Sequence, residues 1–419
     1  MTDYQAAIDW LYQLDAKRGM DFRLDRLEPV LERLGDPHHA FPCVHVAGTN
    51  GKGSTAAMLH SVYRESGYRT GLYTSPHLLS FRERIRTDNE LISETGVVRW
   101  LKEIRSAMDA EAVALTFFEI ATVMAFLQFR ASNLDLAIVE VGLGGRLDAT
   151  NVIDGVCAVI TSIGYDHCAY LGDSLGEIAR EKAGILRASA PAVTGRIPDE
   201  AERAIAEMVT RLGVRWFRYG REYAVCETRR SNAVPLLGAH QRRNAAVVGA
   251  VVDALRHEFP VEEERLIRGI AQTRWPGRLE VLANEPLVLV DCAHNPEAAA
   301  SLREALATMQ LSAPRVLVFG AMRDKDWRTM LDELAPLFDR VVLVRVAVAR
   351  SFDPDHARPA LRGTLDCEVT GSAHEGLARA RACARRDGTI VVAGSIFLVA
   401  ELYAACGGDE NLFTSAART

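Results

Sequence analysis

No two of the eight cysteines stand at C-x-x-C spacing, and most sit inside apolar runs. That argues against a zinc cluster or a disulfide framework and leaves reduced, mostly buried thiols, as expected of a cytoplasmic protein. A long hydrophobic run is missing too: Ile390 to Ala400, the longest, is too short to span a bilayer as a helix. The opening, Met1-Thr2-Asp3-Tyr4, has no basic segment leading into an apolar one, so no signal peptide is expected. There is no basic excess. Lys and Arg number 49 against 55 Asp and Glu, a net charge of −6, which argues against general binding to nucleic acid or anionic membranes. An anionic ligand must therefore be held by local groups. Repeats, low-complexity tracts and long charge runs are absent as well.

What is present suits a globular protein: 48% hydrophobic and 25% charged residues over a chain of 419, enough for two or three domains. One stretch organises it. The short, largely apolar run Cys43 to Ala47 breaks into Gly48-Thr49-Asn50-Gly51-Lys52-Gly53-Ser54-Thr55, and a helix-like Ala56-Ala57-Met58-Leu59 follows. Strand, glycine loop and helix in that order build a phosphate cradle: glycines let N–H groups point inward, and the helix start adds partial positive charge. Against the usual nucleotide-binding pattern two elements are missing. The leading glycine falls on Val46, and Gly53 stands where a hydroxyl would meet magnesium. If the loop binds ATP, its metal must take ligands from elsewhere in the chain.

Helical spacing marks residues 3–14 and 21–34, a helix from the loop to about Ser66, and the apolar helix Thr116 to Phe129. Strands are expected at Arg69–Thr74, Leu134–Val141 and Val156–Ile163. Gly238 to Leu255 holds Gly-Ala-His-Gln-Arg-Arg-Asn ahead of a small-residue helix. Trp275-Pro276-Gly277-Arg278 punctuates the chain, and further strands follow at Leu287–Asp291, Val316–Phe319, Val341–Val346 and Thr389–Ala393. Near-continuous apolar strands separated by helices imply an α/β protein with a mostly parallel sheet covered on both faces. Ligands bind beyond the carboxyl ends of such strands, where Lys52, Ser75, Glu140 and His167 fall. The expected division is 1–279, an ATP-binding domain, and 280–419, a smaller Rossmann-like α/β domain.

Each candidate has a plainer explanation. Glu140 ends an apolar strand, where a carboxylate needs a metal or a partner such as Arg146. His167 suits a hydrogen-bonded loop residue as well as a ligand. Ser75 before Pro76 reads equally as a helix cap or as the hydroxyl that Gly53 lacks. Lys182, in Glu181-Lys182-Ala183-Gly184, reads as an exposed lysine near a helix C-cap. Asp291 and His294 end a strand, with Asn295 as N-cap and Pro296 at the first helical position; Arg278 and Asn244 are further polar candidates.

Taken together, the motifs resemble the folylpolyglutamate synthase and dihydrofolate synthase family, relatives of the Mur ligases. The resemblance runs from Ala47 to about Leu402. It is carried by Ala47-Gly48-Thr49-Asn50-Gly51-Lys52-Gly53-Ser54, Tyr73-Thr74-Ser75-Pro76-His77-Leu78, Phe81-Arg82-Glu83-Arg84-Ile85, Thr116-Phe117-Phe118-Glu119 and Glu140 through Asn151. Asp166-His167, Glu181 to Ile185, His240-Gln241, Trp275 to Arg278 and Asp291 to Pro296 continue it.

The resemblance implies an amide ligase of folate biosynthesis and one-carbon metabolism. It would add L-glutamate to dihydropteroate, to reduced folate, or to both, through an acyl phosphate made with ATP. It further implies that Ser75, Glu140 and His167 carry Mg²⁺, and that Lys182 serves a second magnesium position as a carbamate. Thr49, Asn50, Gly51, Lys52, Gly53 and Ser54, with Asn244, Arg278, Asp291 and His294, would hold ATP; Lys52, Lys182 and His167 would be catalytic. Thr116, Phe117, Phe118, Glu119 and the turn Arg146-Leu147-Asp148 would meet the pterin substrate, and Ser395 the glutamate. Alternatives are a Mur-type amino-acid ligase and a non-ligase ATP-dependent regulatory protein. Nothing demands more than a monomer, nucleic acid or a membrane.

Overall fold

The computed structural model describes residues 2–18, 23–224, 229–361 and 366–408. These fall into two compact units: residues up to Pro235 together with Arg242–Thr273, and Leu236–Gln241 together with residues from Arg274 on.

The first unit is built on an eight-stranded sheet. Its strands are β1 (Cys43–Ala47), β2 (Thr70–Tyr73), β3 (Ile85–Thr87), β4 (Glu90–Leu91), β5 (Leu136–Glu140), β6 (Cys157–Ile160), β7 (Ala192–Thr194) and β8 (Trp216–Arg218). They lie in the order β4-β3-β2-β5-β1-β6-β7-β8. From β2 to β8 neighbouring strands are parallel, while β3 pairs antiparallel with β2 and with β4. Strands β1, β5 and β6 are buried throughout, which is why their sequences run apolar without alternation. His45 is the polar exception in β1, with Nε2 2.8 Å from Thr150 Oγ1.

Local chemistry starts and stops the helices. Thr116 caps Phe117–Ala131 in a reciprocal box with Glu119, and Ser93 caps Glu94–Ala110. The helix Lys52–Glu65 ends at Ser66, before Gly67 at φ +92°. The segment expected to be helical over 21–34 is helical over Leu27–Arg33; Asp21 and Phe22 lie outside the described residues.

The second unit holds a six-stranded sheet. It comprises β9 (Glu280–Asn284), β10 (Leu287–Val290), β11 (Arg315–Phe319), β12 (Arg340–Val344), β13 (Asp366–Thr370) and β14 (Thr389–Ala393), ordered β13-β12-β11-β14-β10-β9. Only β9 runs antiparallel to its neighbour. Strands β3, β4, β7, β8, β9 and β13 go beyond the sequence expectations. They are short or half-exposed, so neither a long apolar run nor clean alternation marks them. No helix among the described residues is long and apolar enough to cross a membrane.

Candidate functional site

The register of the first sheet sets the site. Val46 of β1 pairs with Glu140 of β5 and with Val159 of β6, and Tyr73 of β2 pairs with Val139 of β5. The carboxyl ends of β2, β5, β1 and β6 thus lie side by side. Ser75, Glu140, the loop from Gly48 and the segment Thr161–His167 follow from those four ends in that order.

The missing leading glycine now has a reason. Val46 is still inside β1 and fully buried, so the turn begins at Gly48 instead. At Gly48, φ is +150° and a Cβ would stand 2.0 Å from Thr161 Oγ1; at Gly51, φ is +84° and a Cβ would stand 2.7 Å from Asn244 Oδ1. Neither position accepts a side chain without movement. The loop is laced to the segment after β6. Thr49 N–H donates to Ser162 O at 2.9 Å, Asn50 N–H to Ser162 Oγ at 2.9 Å, and Thr161 Oγ1 to Asn50 O at 2.6 Å. Thr49 Oγ1 donates to Gly164 O and accepts from Gly164 N–H. Thr161 and Ser162 shape the loop without figuring among the sequence candidates; two hydroxyls at the end of an apolar strand are the signal that could have marked them. The helix Lys52–Glu65, with Gly53 and Ser54 in its first turn, takes no side-chain cap from Gly51.

Two lysines converge on this loop. Lys52 Nζ donates to Gly48 O at 2.9 Å and to Thr49 O at 3.2 Å, and Lys182 Nζ donates to the same Gly48 O at 3.1 Å. Lys182 is 4% exposed, which corrects the expectation of a solvated helix lysine. The glycine after it is no left-handed cap either: Gly184 has φ −60°, and a Cβ there would meet Arg146 Cβ at 2.4 Å. Two ammonium groups on one carbonyl favour an anion beside them or the loss of one charge.

Glu140 is 4% exposed and its Oε2 accepts from Ser75 N–H at 3.2 Å. Arg146, the plainer partner for Glu140, pairs with Glu181 at 2.9 Å. Ser75 caps no helix. The Ser75–Pro76 peptide is cis, and the helical turn nearby, Phe81–Arg84, is capped by Ser80. His167 sits at φ +53° on the segment after β6, with its N–H donating to Asp166 Oδ1 at 2.9 Å.

The expected pterin-side residues form a second group in the same unit. Thr116 and Glu119 are buried and occupied by helix capping: Thr116 N–H and Oγ1 donate to Glu119 Oε2 at 2.6 and 2.8 Å, and Arg26 Nε donates to Glu119 Oε1 at 2.6 Å. Asp148 is likewise tied down by Leu143 N–H at 2.8 Å and Thr150 Oγ1 at 2.5 Å, and burial pushes its carboxyl above the usual range. Leu147 beside it is half-buried. Phe118 is half-buried with its ring where a Cβ on Gly142 would be, 2.4 Å away. Phe117 lies under the Arg84 guanidinium, 5.1 Å from the ring centre, and 5.8 Å from the Tyr12 ring. Arg84 Nε donates to His77 Nδ1 at 2.8 Å; burial, then Arg84, pulls His77 down to about 3.

In the second unit Asp291 follows β10, and its carboxylate accepts from Leu279 N–H at 2.7 Å and Ala293 N–H at 2.8 Å. Burial raises its pKa, and Arg278 opposes the shift. His294 Nδ1 lies 2.9 Å from Cys292 O. Asn295 caps Pro296–Ala307 through Ala298 N–H at 2.9 Å, with Pro296 at the first helical position as the sequence predicts. Gly394, at φ +115°, donates its N–H to Ala293 O at 3.1 Å, and Ser395 next to it caps Ile396–Leu402.

Comparison with known proteins fits both units. The Mur ligase middle domain matches residues 46–252, and the Mur ligase glutamate ligase domain matches residues 277–396. The fold and site are therefore those of a Mur-type ligase. The Escherichia coli dihydrofolate synthase/folylpolyglutamate synthase is 34% identical over 411 residues, covering 94% of each chain. A probable bifunctional folylpolyglutamate synthase/dihydropteroate synthase of Haloferax volcanii is 37% identical over 95% of this chain, which spans 50% of that protein's length. Among solved structures, Mycobacterium tuberculosis folylpolyglutamate synthase complexed with ADP superimposes with a TM-score of 0.88 at 31% identity, covering 97% of this chain and 100% of that one. The chain belongs to the folylpolyglutamate synthase/dihydrofolate synthase family.

Proposed function

We propose that this chain uses ATP to join the amino group of L-glutamate to the carboxylate of a pterin-bearing acid, either dihydropteroate or a reduced folate or both. The observation that carries the reading is the loop Gly48–Lys52, with Lys52 and Lys182 meeting at its first carbonyl between the tips of β5 and β6. The acid's carboxylate oxygen attacks the γ-phosphorus and ADP leaves with its electron pair. The glutamate amine then attacks the acyl phosphate carbonyl, loses a proton, and expels phosphate.

The first step brings two anions together. Lys52 and the N–H groups of Thr49 to Ser54 hold the phosphates, and the charge that develops meets positive groups already in place. Asn244 backs the loop at Gly51; Arg278, Asp291 and His294 serve the nucleotide from the second unit. A buried carboxylate with a hydroxyl residue bonded to it supplies hard oxygen donors, so Glu140 and Ser75 fit magnesium, with the His167 imidazole as the less usual third donor. When bound, Mg²⁺ would offset phosphate charge. Lys182 as a carbamate would supply a second anionic position and remove the clash with Lys52. The half-buried Phe118 presents the aromatic surface to the pterin; Thr116, Glu119 and Asp148 position it and the Arg146–Asp148 turn. Ser395 orders the glutamate side. Residues 1–279 form the ATP-binding part and 280–419 the glutamate-ligating part of a cytoplasmic monomer.

The test is to incubate the protein with ATP, Mg²⁺, L-glutamate and either dihydropteroate or tetrahydrofolate, following ADP and product mass. A product heavier by one glutamyl residue, with pterin-dependent ADP release, is expected. ADP release indifferent to pterin sinks the reading.

A further inference from the structure

Away from the strand tips, the turn Asp36-Pro37-His38-His39 leads from the helix Leu27–Arg33 towards the amino-terminal end of β1. Three side chains of this turn each offer one ligand atom, and these atoms all lie within 4.8 Å of one another: a carboxylate oxygen of Asp36 and one ring nitrogen from each of His38 and His39. The backbone imposes the clustering. Asp36 is left-handed at φ +48°, Pro37 starts a single tight turn, and Arg130 Nη1 clamps the preceding carbonyls of Leu34 and Gly35 at 2.7 and 3.1 Å.

His38 provides an independent observation. It is only 8% exposed, and its Nδ1 is buried with no hydrogen-bond partner. An unpartnered buried imidazole nitrogen is costly, and metal ligation or a captured proton donor would satisfy it. The groups acting on this imidazole are His39, Asp36 and Asp154; burial comes first and His39 second in lowering its pKa, so the ring is held neutral, the form that binds metals. The ring sits 3.9 Å from that of His39 and 6.3 Å from that of Phe126, which limits its freedom to turn away.

We propose that Asp36, His38 and His39 form a site for a divalent transition metal, zinc or one of like ligand preference, at the amino-terminal end of β1. Two imidazoles and a carboxylate suit such an ion and leave a position for water; magnesium, which prefers oxygen, does not fit this donor set. The five residues of β1 separate the turn from the phosphate loop by about 16 Å, so the site is distinct from the nucleotide chemistry. An ion here would tie the helix Leu27–Arg33 to the start of the central strand.

The test is calorimetric titration of Zn²⁺ into the full chain, free of any histidine tag and with Mg²⁺ in excess, alongside Co²⁺ absorption. One equivalent is expected, weakened at least about tenfold in His39→Ala and in Asp36→Asn, whose side chains are exposed and whose folding should survive. Pterin-dependent ADP release should be unchanged in both. Absence of uptake, or identical isotherms for the variants and the parent, overturns the proposal. So does uptake lost in Glu140→Ala and kept in His39→Ala.

Discussion

Each sheet sends a parallel strand into a turn and then a helix, and the two turns are chemically opposite. After β1 the chain passes through Gly48 and Gly51, and the helix Lys52–Glu65 starts with no side chain capping it. After β10 it passes through Asp291 to Asn295; the Asp291 carboxylate takes two backbone N–H groups and Asn295 caps the helix. The second turn closes on its own side chains. The first is built from backbone and held from outside, by Thr161, Ser162 and Asn244. A helix start that caps itself offers less to an anion, whereas one opened by glycine keeps its N–H groups and dipole for a ligand. The same topology therefore supports a phosphate cradle in one unit and a rigid corner in the other.

Removing the charge from the open turn should have the largest effect. Lys52→Ala is expected to lower ligation by at least about a hundredfold, through lost electrostatic stabilisation of the phosphates. Pterin-dependent ADP release measures it, and near-normal turnover would refute the role given to Lys52. Next comes geometry. In Gly51→Ala the new Cβ faces Asn244 Oδ1 at 2.7 Å and the backbone stays at φ +84°. A strain of about 1–2 kcal/mol should appear as a roughly tenfold loss of ADP affinity. If affinity holds, the loop is not the cradle. His294→Ala in the self-closed turn meets no such strain and should disturb ADP affinity less.

This contrast was only partly legible in the sequence. The fully buried strands announced themselves through unbroken apolar runs, and Asn295-Pro296 through cap chemistry. Lys182 did not, because a lysine near a helix end is ordinarily solvated. Yet it stands four residues after Ile178 and three after Ala179, both buried, and that spacing places it on the inner face. Ser75-Pro76 imitated a helix start although no helix follows. Thr116 and Glu119 matched a family motif, but their spacing is also that of a reciprocal cap, and the structure uses them so. Clustering of Asp36 with two histidines depends on a left-handed residue that no periodicity reveals.

The two central strands differ in acid response as well. β1 carries His45, while β10 is Leu-Val-Leu-Val. Burial holds His45, His60 and His77 near 3, and all three lie in the first unit. Their folded pKa values are depressed below 6.5, so the unfolded chain binds more protons and stability falls as pH drops from about 6.5 towards about 3. Each fully buried histidine contributes a slope of up to about 1.4 kcal/mol per pH unit. His45→Gln should remove close to one proton from that slope in denaturant melts between pH 4 and 7. An unchanged slope would show that His45 is already protonated in the fold.

The smallest effect is expected at the self-closed turn. Asn295→Ala removes the acceptor for Ala298 N–H and should cost about 1 kcal/mol of stability in the second unit, whereas Asn295→Gly should cost only a few tenths. Urea melts of the two variants give the difference. The asymmetry with Lys52→Ala is the point: losing this cap should lower the unfolding midpoint while ADP release under saturating ATP falls far less than a hundredfold. Were Asn295→Ala to match Lys52→Ala in lost turnover at intact stability, the second turn would be handling substrate itself, and a capped helix start could not be taken as closed to ligands.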